Sequence, residues 1–299
     1  MSHARDTLDA AIARTGSALS IGLEPDPAYL PHGFDPTPAG YEAFFRLLVD
    51  AAGDLAAAFK VNLAFFEALG NDGWPLLERT RAIVPDAALF IADGKRGDIG
   101  STAERSARAL YDRLGADAAT VNPLMGRDAV EPFLERSDRL TYCLALTSNP
   151  GAADFLLEGR LAERIARAAA EWDGGRRCAG LVVGATRGED ARAVRAAAPN
   201  LPMLVPGVGA QGGDLARTVG VAAIEPDPDR SAAAAPPTTL ARRGLLFHVT
   251  RGVLPAEDDP PGDAAATVRA KAKRFRDRVA RALAPTADPD TSQTEGADA

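Results

Sequence analysis

Eight short apolar runs, each followed by a polar or amphipathic stretch, limit what this chain can fold into more than any other feature. They fall at residues 18–23, 57–61, 89–93, 118–122, 142–147, 180–184, 203–205 and 245–250, bounded by glycine, proline or polar residues. Brief runs that are apolar on both faces suit parallel strands buried on both sides. Helical patterns fill most of the gaps, at 40–58, 74–83, 102–114, 129–135, 161–171, 188–198 and 214–218. Eight strand–helix alternations predict an α/β fold of the (β/α)8 barrel type, as a single domain, rather than a doubly wound sheet.

The 299 residues exceed the roughly 250 typical of a barrel, and two segments account for much of the excess. Residues 226–237 carry Asp-Pro-Asp-Arg, an alanine run and paired prolines, and read as a surface insertion before the last strand. Residues 285–299 lack an apolar face and read as a disordered tail, which leaves 1–284 as the catalytic domain. Residues 268–283, rich in arginine and lysine at helical spacing, predict a solvated terminal helix with one apolar stripe.

Composition narrows the functional classes. A hydrophobic content of 46% is ample for a large core, while a net charge of -7 argues against a general nucleic-acid surface. No apolar run reaches the roughly 18 residues of a membrane span, and the N-terminus has no secretory core, so a soluble, cytoplasmic protein is expected. Cys143 and Cys178 lie in or beside apolar runs and predict reduced, buried thiols. His3, His32 and His248 lack ligand spacing, and no metal site is expected.

In a barrel, chemistry gathers at the C-terminal strand ends and the loops that follow. The polar residues of this chain collect there. Glu24 follows the first strand, Lys60 lies near the end of the second, and Asp93, Lys95 and Asp98 come after the third. Asn122 follows the fourth, Ser148 and Asn149 the fifth, Gln211 the seventh and Arg251 the eighth. Taken singly, each has a plain structural reading: a solvated charge patch, a lysine snorkelling from a strand, a turn among glycines, a surface arginine. Their convergence favours chemistry.

The segment Asp93-x-Lys95-x-x-Asp98-Ile99-x-x-Thr102 resembles the signature of the orotidine 5'-phosphate decarboxylase family. Further segments resemble its longer bacterial-type subgroup, in family order: Phe59-Lys60-Val61-Asn62, Thr120-Val121-Asn122-Pro123, Thr147-Ser148-Asn149-Pro150-Gly151 and Pro206-Gly207-Val208-Gly209-Ala210-Gln211-Gly212-Gly213. The resemblance implies decarboxylation of orotidine 5'-phosphate to UMP, the last step of UMP synthesis, in a homodimer with no cofactor. It implies an alternating Lys60-Asp93-Lys95-Asp98 chain, with Lys95 stabilising and protonating a C6 carbanion and with Asp98, Ile99 and Thr102 completing the neighbouring subunit's site. Gln211 and Arg251, helped by backbone donors of Gly209 and Gly252, would grip the phosphate. Ser148 would meet the pyrimidine, and Glu24, Lys60 and Thr102 the ribose.

Three positions depart from the family pattern. Residue 24 is Glu where the family usually has Asp, and the last strand reads Phe247-His248-Val249-Thr250-Arg251 where Asn and Ser are expected near 248 and 250. Two rival readings stay open. One is a metal-dependent sugar-phosphate lyase or decarboxylase of the same superfamily, a group that is generally shorter and lacks the Thr-Ser-Asn-Pro-Gly and Gly-Ala-Gln-Gly-Gly segments. The other is a non-catalytic nucleotide-binding barrel.

Overall fold

A computed structural model describes residues 4–208, 215–223, 244–256 and 263–283. Within it, eight parallel strands close into a barrel in sequence order. They are β1 (Leu19–Gly22), β2 (Ala58–Asn62), β3 (Leu89–Arg96), β4 (Ala118–Val121), β5 (Leu140–Leu146), β6 (Ala179–Val183), β7 (Met203–Pro206) and β8 (Leu245–Val249). β8 pairs with β1 from Leu19↔Phe247 to Ile21↔Val249, so no sheet edge is left open. All eight predicted strands are present. The insertion at 226–237 and the tail at 285–299 lie outside the described residues.

Helices surround the strands: α1 (Ala4–Thr15), α2 (Pro38–Ala52), α3 (Leu63–Glu67), α4 (Gly73–Ile83), α5 (Gly100–Ala107), α6 (Arg127–Leu134), α7 (Ala152–Phe155), α8 (Leu161–Asp173), α9 (Gly188–Ala197), α10 (Leu215–Ala222) and α11 (Ala264–Leu283). α2 starts where Thr37 Oγ1 accepts from Gly40 N at 3.1 Å, with Pro38 in the first turn. α11 packs on α2 and β1, where Arg269 forks onto the Asp54 carboxylate at 2.7 and 2.9 Å. Among the described residues no helix is long and apolar enough to cross a membrane.

Local details differ from the sequence reading. The helix predicted over 40–58 ends at Ala52, because the alanine run beyond it is needed in the barrel: Ala57 N donates to Leu19 O, and β2 begins one residue later. An alanine-rich run buried on every side carries no period that separates strand from helix. The helix predicted over 102–114 is α5 followed by a π-helical turn at Arg108–Arg113. α1 was not predicted; it buries Leu8, Ala11 and Ile12 and carries a buried Arg5–Asp9 ion pair at 2.8 Å. Cys143 and Cys178 are free and buried, with burial pushing both thiols up to about 12.

Candidate active site

The charged residues meet because β1, β2 and β3 are neighbours. Gly22 lies opposite Lys60, and Asn62 opposite Asp93. Regular pairing of β3 with β4 breaks between Ala92 and Arg96. Within that irregularity Lys95 adopts a left-handed backbone, φ 45°, and its N–H donates to Thr120 Oγ1 at 2.9 Å. An irregularity of this kind re-aims one side chain at the barrel rim. Lys95 Nζ thereby reaches Asp93 Oδ1 at 2.8 Å.

The result is a chain of alternating charge. Lys60 Nζ donates to Asp93 Oδ2 at 3.0 Å and to Glu24 Oε1 at 3.3 Å, and Thr120 Oγ1 donates to Asp93 Oδ1 at 2.7 Å. Glu24, Lys60 and Asp93 are all buried. Burial alone would lift the Asp93 carboxyl, but the charges of Lys60 and Lys95 and the bonds from Lys95 and Thr120 hold it well below the usual carboxylate range. Burial likewise disfavours the Lys60 ammonium, and here Asp93 and Glu24 outweigh it and raise the pKa. Compensation within the chain keeps these charges in place inside the barrel. Both Asp93 oxygens are occupied by ammonium and hydroxyl donors, and among the described residues no three His, Cys, Asp or Glu side chains gather as metal ligands.

A cavity of about 360 Å³ opens over this array. Glu24, Lys60, Asp93, Lys95 and Thr120 line one half, while Leu144, Val182 and Leu204 from β5, β6 and β7 supply an apolar surface on the other. Tyr29 and Phe65, with ring centroids 6.4 Å apart, add aromatic lining from the segments after β1 and β2. A small-molecule site commonly has this character: a largely apolar pocket with a few fixed polar groups.

Ser148 lines the cavity after β5 and is held from the next loop. Thr186 Oγ1 donates to Ser148 O at 3.1 Å, and Arg187 Nη2 donates to Asn149 O at 3.0 Å. A Cβ on Gly184 would fall 2.5 Å from Ser148 N, so this approach needs glycine. Arg251 and Gly252 line the cavity after β8. Gly209 and Gln211 lie outside the described residues, although the preceding Gly207 and Val208 border the same cavity.

Asp98, Ile99 and Thr102 stand apart. All three are exposed, and none lines the cavity. Asp98 Oδ1 accepts from Ile99 N at 2.7 Å, and among the described residues Asp98 forms no ion pair. Asp98 and Thr102 border an adjacent groove with Trp74, Arg105 and Lys95. Lys95 therefore faces both concavities, and its side chain is 44% exposed against 5% for Lys60. Within one chain the array reads Glu24–Lys60–Asp93–Lys95, so its fourth member is Glu24 and not Asp98. Sequence reasoning assigned no site role to Thr120, Tyr29 or Phe65. Thr120 had a usable signal, since it is a hydroxyl residue on an otherwise apolar strand just before Asn122.

The closed barrel, with a charged cavity at the C-terminal ends of its strands, defines an enzyme of the (β/α)8 class. Residues 29–227 match the orotidine 5'-phosphate decarboxylase / HUMPS family, to which the chain belongs. It is similar to the orotidine 5'-phosphate decarboxylase of Roseiflexus castenholzii, at 42% identity over 93% of this chain and 97% of the relative. The protein of the same name from Thermomicrobium roseum is 41% identical, over 93% of this chain and 95% of the relative. Among solved structures, that of Leishmania donovani OMP decarboxylase has a TM-score of 0.75 and 30% identity, covering 94% of this chain and 99% of the other.

Proposed function

We propose that this chain catalyses decarboxylation of orotidine 5'-phosphate to UMP and CO2 with no cofactor, the last step of UMP synthesis. The observation that carries the reading is the Lys60–Asp93–Lys95 chain at the floor of the cavity. Cleavage of the bond from C6 to the carboxyl carbon leaves an electron pair in an sp2 orbital that the ring π-system cannot delocalise. Fixed charge then has to stabilise it. Lys95 is the compact cation suited to that role and also the acid: its ammonium gives a proton to C6 and regains one from solvent. Lys60 and Thr120 hold Asp93, and Asp93 holds Lys95. An Asp93 carboxylate beside the substrate's own carboxylate disfavours the reactant relative to the decarboxylated product.

The remaining contacts are those the family resemblance implies, supported for Ser148, Glu24, Lys60, Arg251 and Gly252 by their position on the cavity lining. Ser148 serves the pyrimidine edge, Glu24 and Lys60 the ribose, and Arg251 and Gly252 the phosphate, joined by Gln211 and Gly209. Phosphate sites beyond strands seven and eight are common in barrels, and binding energy from this remote group is available to order the charged array.

Asp98, Ile99 and Thr102 complete the site of a second copy in a homodimer. Support comes from their exposure beside Lys95, and from exposed Ile99, Leu124, Met125 and Trp74 on or next to the loops after β2, β3 and β4. Exposed large apolar side chains on the loops that follow neighbouring barrel strands suit a subunit contact.

Loss of orotidine 5'-phosphate absorbance, followed with purified protein in EDTA, tests this reading. Turnover that survives chelation supports it. Metal-dependent turnover of a sugar phosphate assigns the chain to the other branch of its family, and tight UMP binding without turnover makes it a binding protein. Lys95→Ala is expected to lower turnover by about 10⁴-fold while UMP still binds; an active Lys95→Ala protein contradicts the mechanism.

A further inference from the structure

His248 lies inside the barrel on β8, buried among the charged groups, with no part in the roles assigned above. Its ring bridges two strands. Nδ1 is 3.3 Å from Ser20 Oγ on β1, and Nε2 is 3.3 Å from Thr250 Oγ1 at the end of β8 and 3.9 Å from Glu24 Oε1. Ser20 and His248 are also register partners across the seam that closes the barrel.

The geometry beside this bridge is tight. A Cβ on Gly22 would fall 2.0 Å from Thr250 Oγ1 and 2.7 Å from Glu24 Oε2. Glycine at 22 is therefore what lets the Thr250 and Glu24 side chains fold over the same stretch of β1 backbone. Glu24 follows β1 and Arg251 follows Thr250, so the two residues assigned to ribose and phosphate leave opposite sides of one seam. His248 ties that seam together from within.

The partners also fix the ring's chemistry. A neutral imidazole offers one donor and one acceptor. The Glu24 carboxylate on the Nε2 side favours the hydrogen there, so Nε2–H donates to Thr250 Oγ1 and Nδ1 accepts from the Ser20 hydroxyl. Burial, then the positive charge of Lys60, hold the ring pKa well below its ordinary value. A protonated ring would place a third cation beside Lys60 and Lys95.

We propose that His248 is a positioning residue for nucleotide binding: by bonding Ser20 and Thr250 it fixes the β1–β8 seam and so sets the separation between Glu24 and Arg251. This rests on the ribose and phosphate roles proposed for those two residues. The seam then acts as a gauge for a sugar phosphate, holding a ribose contact and a phosphate contact at one fixed spacing. The departures from the family pattern, at 24, 248 and 250, meet at this gauge.

The test is steady-state kinetics with the full-length chain. His248→Phe keeps the ring's bulk and removes both hydrogen bonds, and it is expected to raise KM for orotidine 5'-phosphate about tenfold with kcat changed much less. The ratio of UMP to uridine affinity should fall with it, because the phosphate contact is the one displaced. His248→Gln, which retains a donor and an acceptor, should return KM to within about threefold of wild type. An unchanged KM in His248→Phe, a loss confined to kcat, or a Gln variant as impaired as the Phe variant would each overturn the proposal. Should His248→Phe fail to fold, Ser20→Ala and Thr250→Val cut the two ends of the bridge separately, and wild-type KM in both would also overturn it. Wild-type turnover alongside an inactive Lys95→Ala protein shows that the functional reading holds even where this inference fails.

Discussion

The two ends of the Asp93–Thr102 segment are a few residues apart and occupy opposite environments. Asp93 is buried and holds Lys60, Lys95 and Thr120 within hydrogen-bond distance, whereas Asp98 is exposed and among the described residues bonds only the next residue's N–H. One end is completed by its own chain. The other end presents acid, apolar and hydroxyl side chains outward, beside a lysine that is itself half open to solvent. A single motif can thus be closed by its own chain at one end and open at the other, and the open end is where a second copy is proposed to act. Substitutions in the two halves should separate stability from activity.

Lys60→Ala should do the most damage, because it takes away the buried Glu24 carboxylate's ammonium partner and leaves buried Asp93 with Lys95 and Thr120 alone. Removal of one partner from a buried ion pair costs about 3–5 kcal/mol, so both the urea midpoint and turnover should fall. A variant with wild-type stability would show that the array is not closed within the chain. Asp98→Ala should behave in the opposite way: folding stability within about 0.5 kcal/mol of wild type, with kcat lower by about 10²–10³. Equal loss of stability and activity at Asp98 would erase the contrast.

Thr120→Val probes the joint between Asp93 and the strained backbone of Lys95. It removes a donor to Asp93 Oδ1 and the acceptor of Lys95 N–H together. An expected cost of about 1–3 kcal/mol, with a modest fall in kcat, can be read by denaturation and kinetics on the same sample. If stability and kcat both stay at wild type, Thr120 does not hold the joint.

The smallest effect is the pH dependence of stability. The Asp93 pKa is lowered from 3.8, so its contribution is present above that value and lost as pH falls through the still lower folded value. The Lys60 pKa is raised from 10.5, so its contribution is present below that value and lost as pH rises through the folded one. Neither gives a slope near neutrality. His248, held well below 6.5 by burial and Lys60, does: the unfolded chain takes up a proton that the folded chain refuses as pH drops under 6.5. His248→Asn should remove up to about 1.4 kcal/mol per pH unit of acid destabilisation, measured as urea midpoints on either side of pH 6. Identical slopes in the two proteins would contradict a neutral His248.

The barrel was legible because every strand is a short apolar run, and short runs separated by helical periods have few other folds open to them. Legibility failed where burial erased the period. The alanines before and within β2 fit helix and strand equally, and only their pairing with β1 and β3 decides. At the site, Lys60, Asp93 and Lys95 could be read from their positions at strand ends. The Glu24 bond to Lys60 spans 36 positions, and the Thr120 bond to Asp93 spans 27. Such partners are set by register between strands, which spacing along one chain does not encode. The left-handed turn at Lys95 was likewise hidden, since it comes from irregular pairing with β4 and not from a glycine.

Subunit mixing tests the central claim, that one end of the motif serves its own chain and the other end its neighbour. Lys95→Ala and Asp98→Ala proteins, each inactive or nearly so, are combined at equal amounts under conditions where tagged subunits are shown to exchange. Half of the dimers are then hybrids with one intact site apiece, so turnover should recover to about a quarter of wild type. No recovery despite proven exchange would place Asp98 in the site of its own chain and contradict the account.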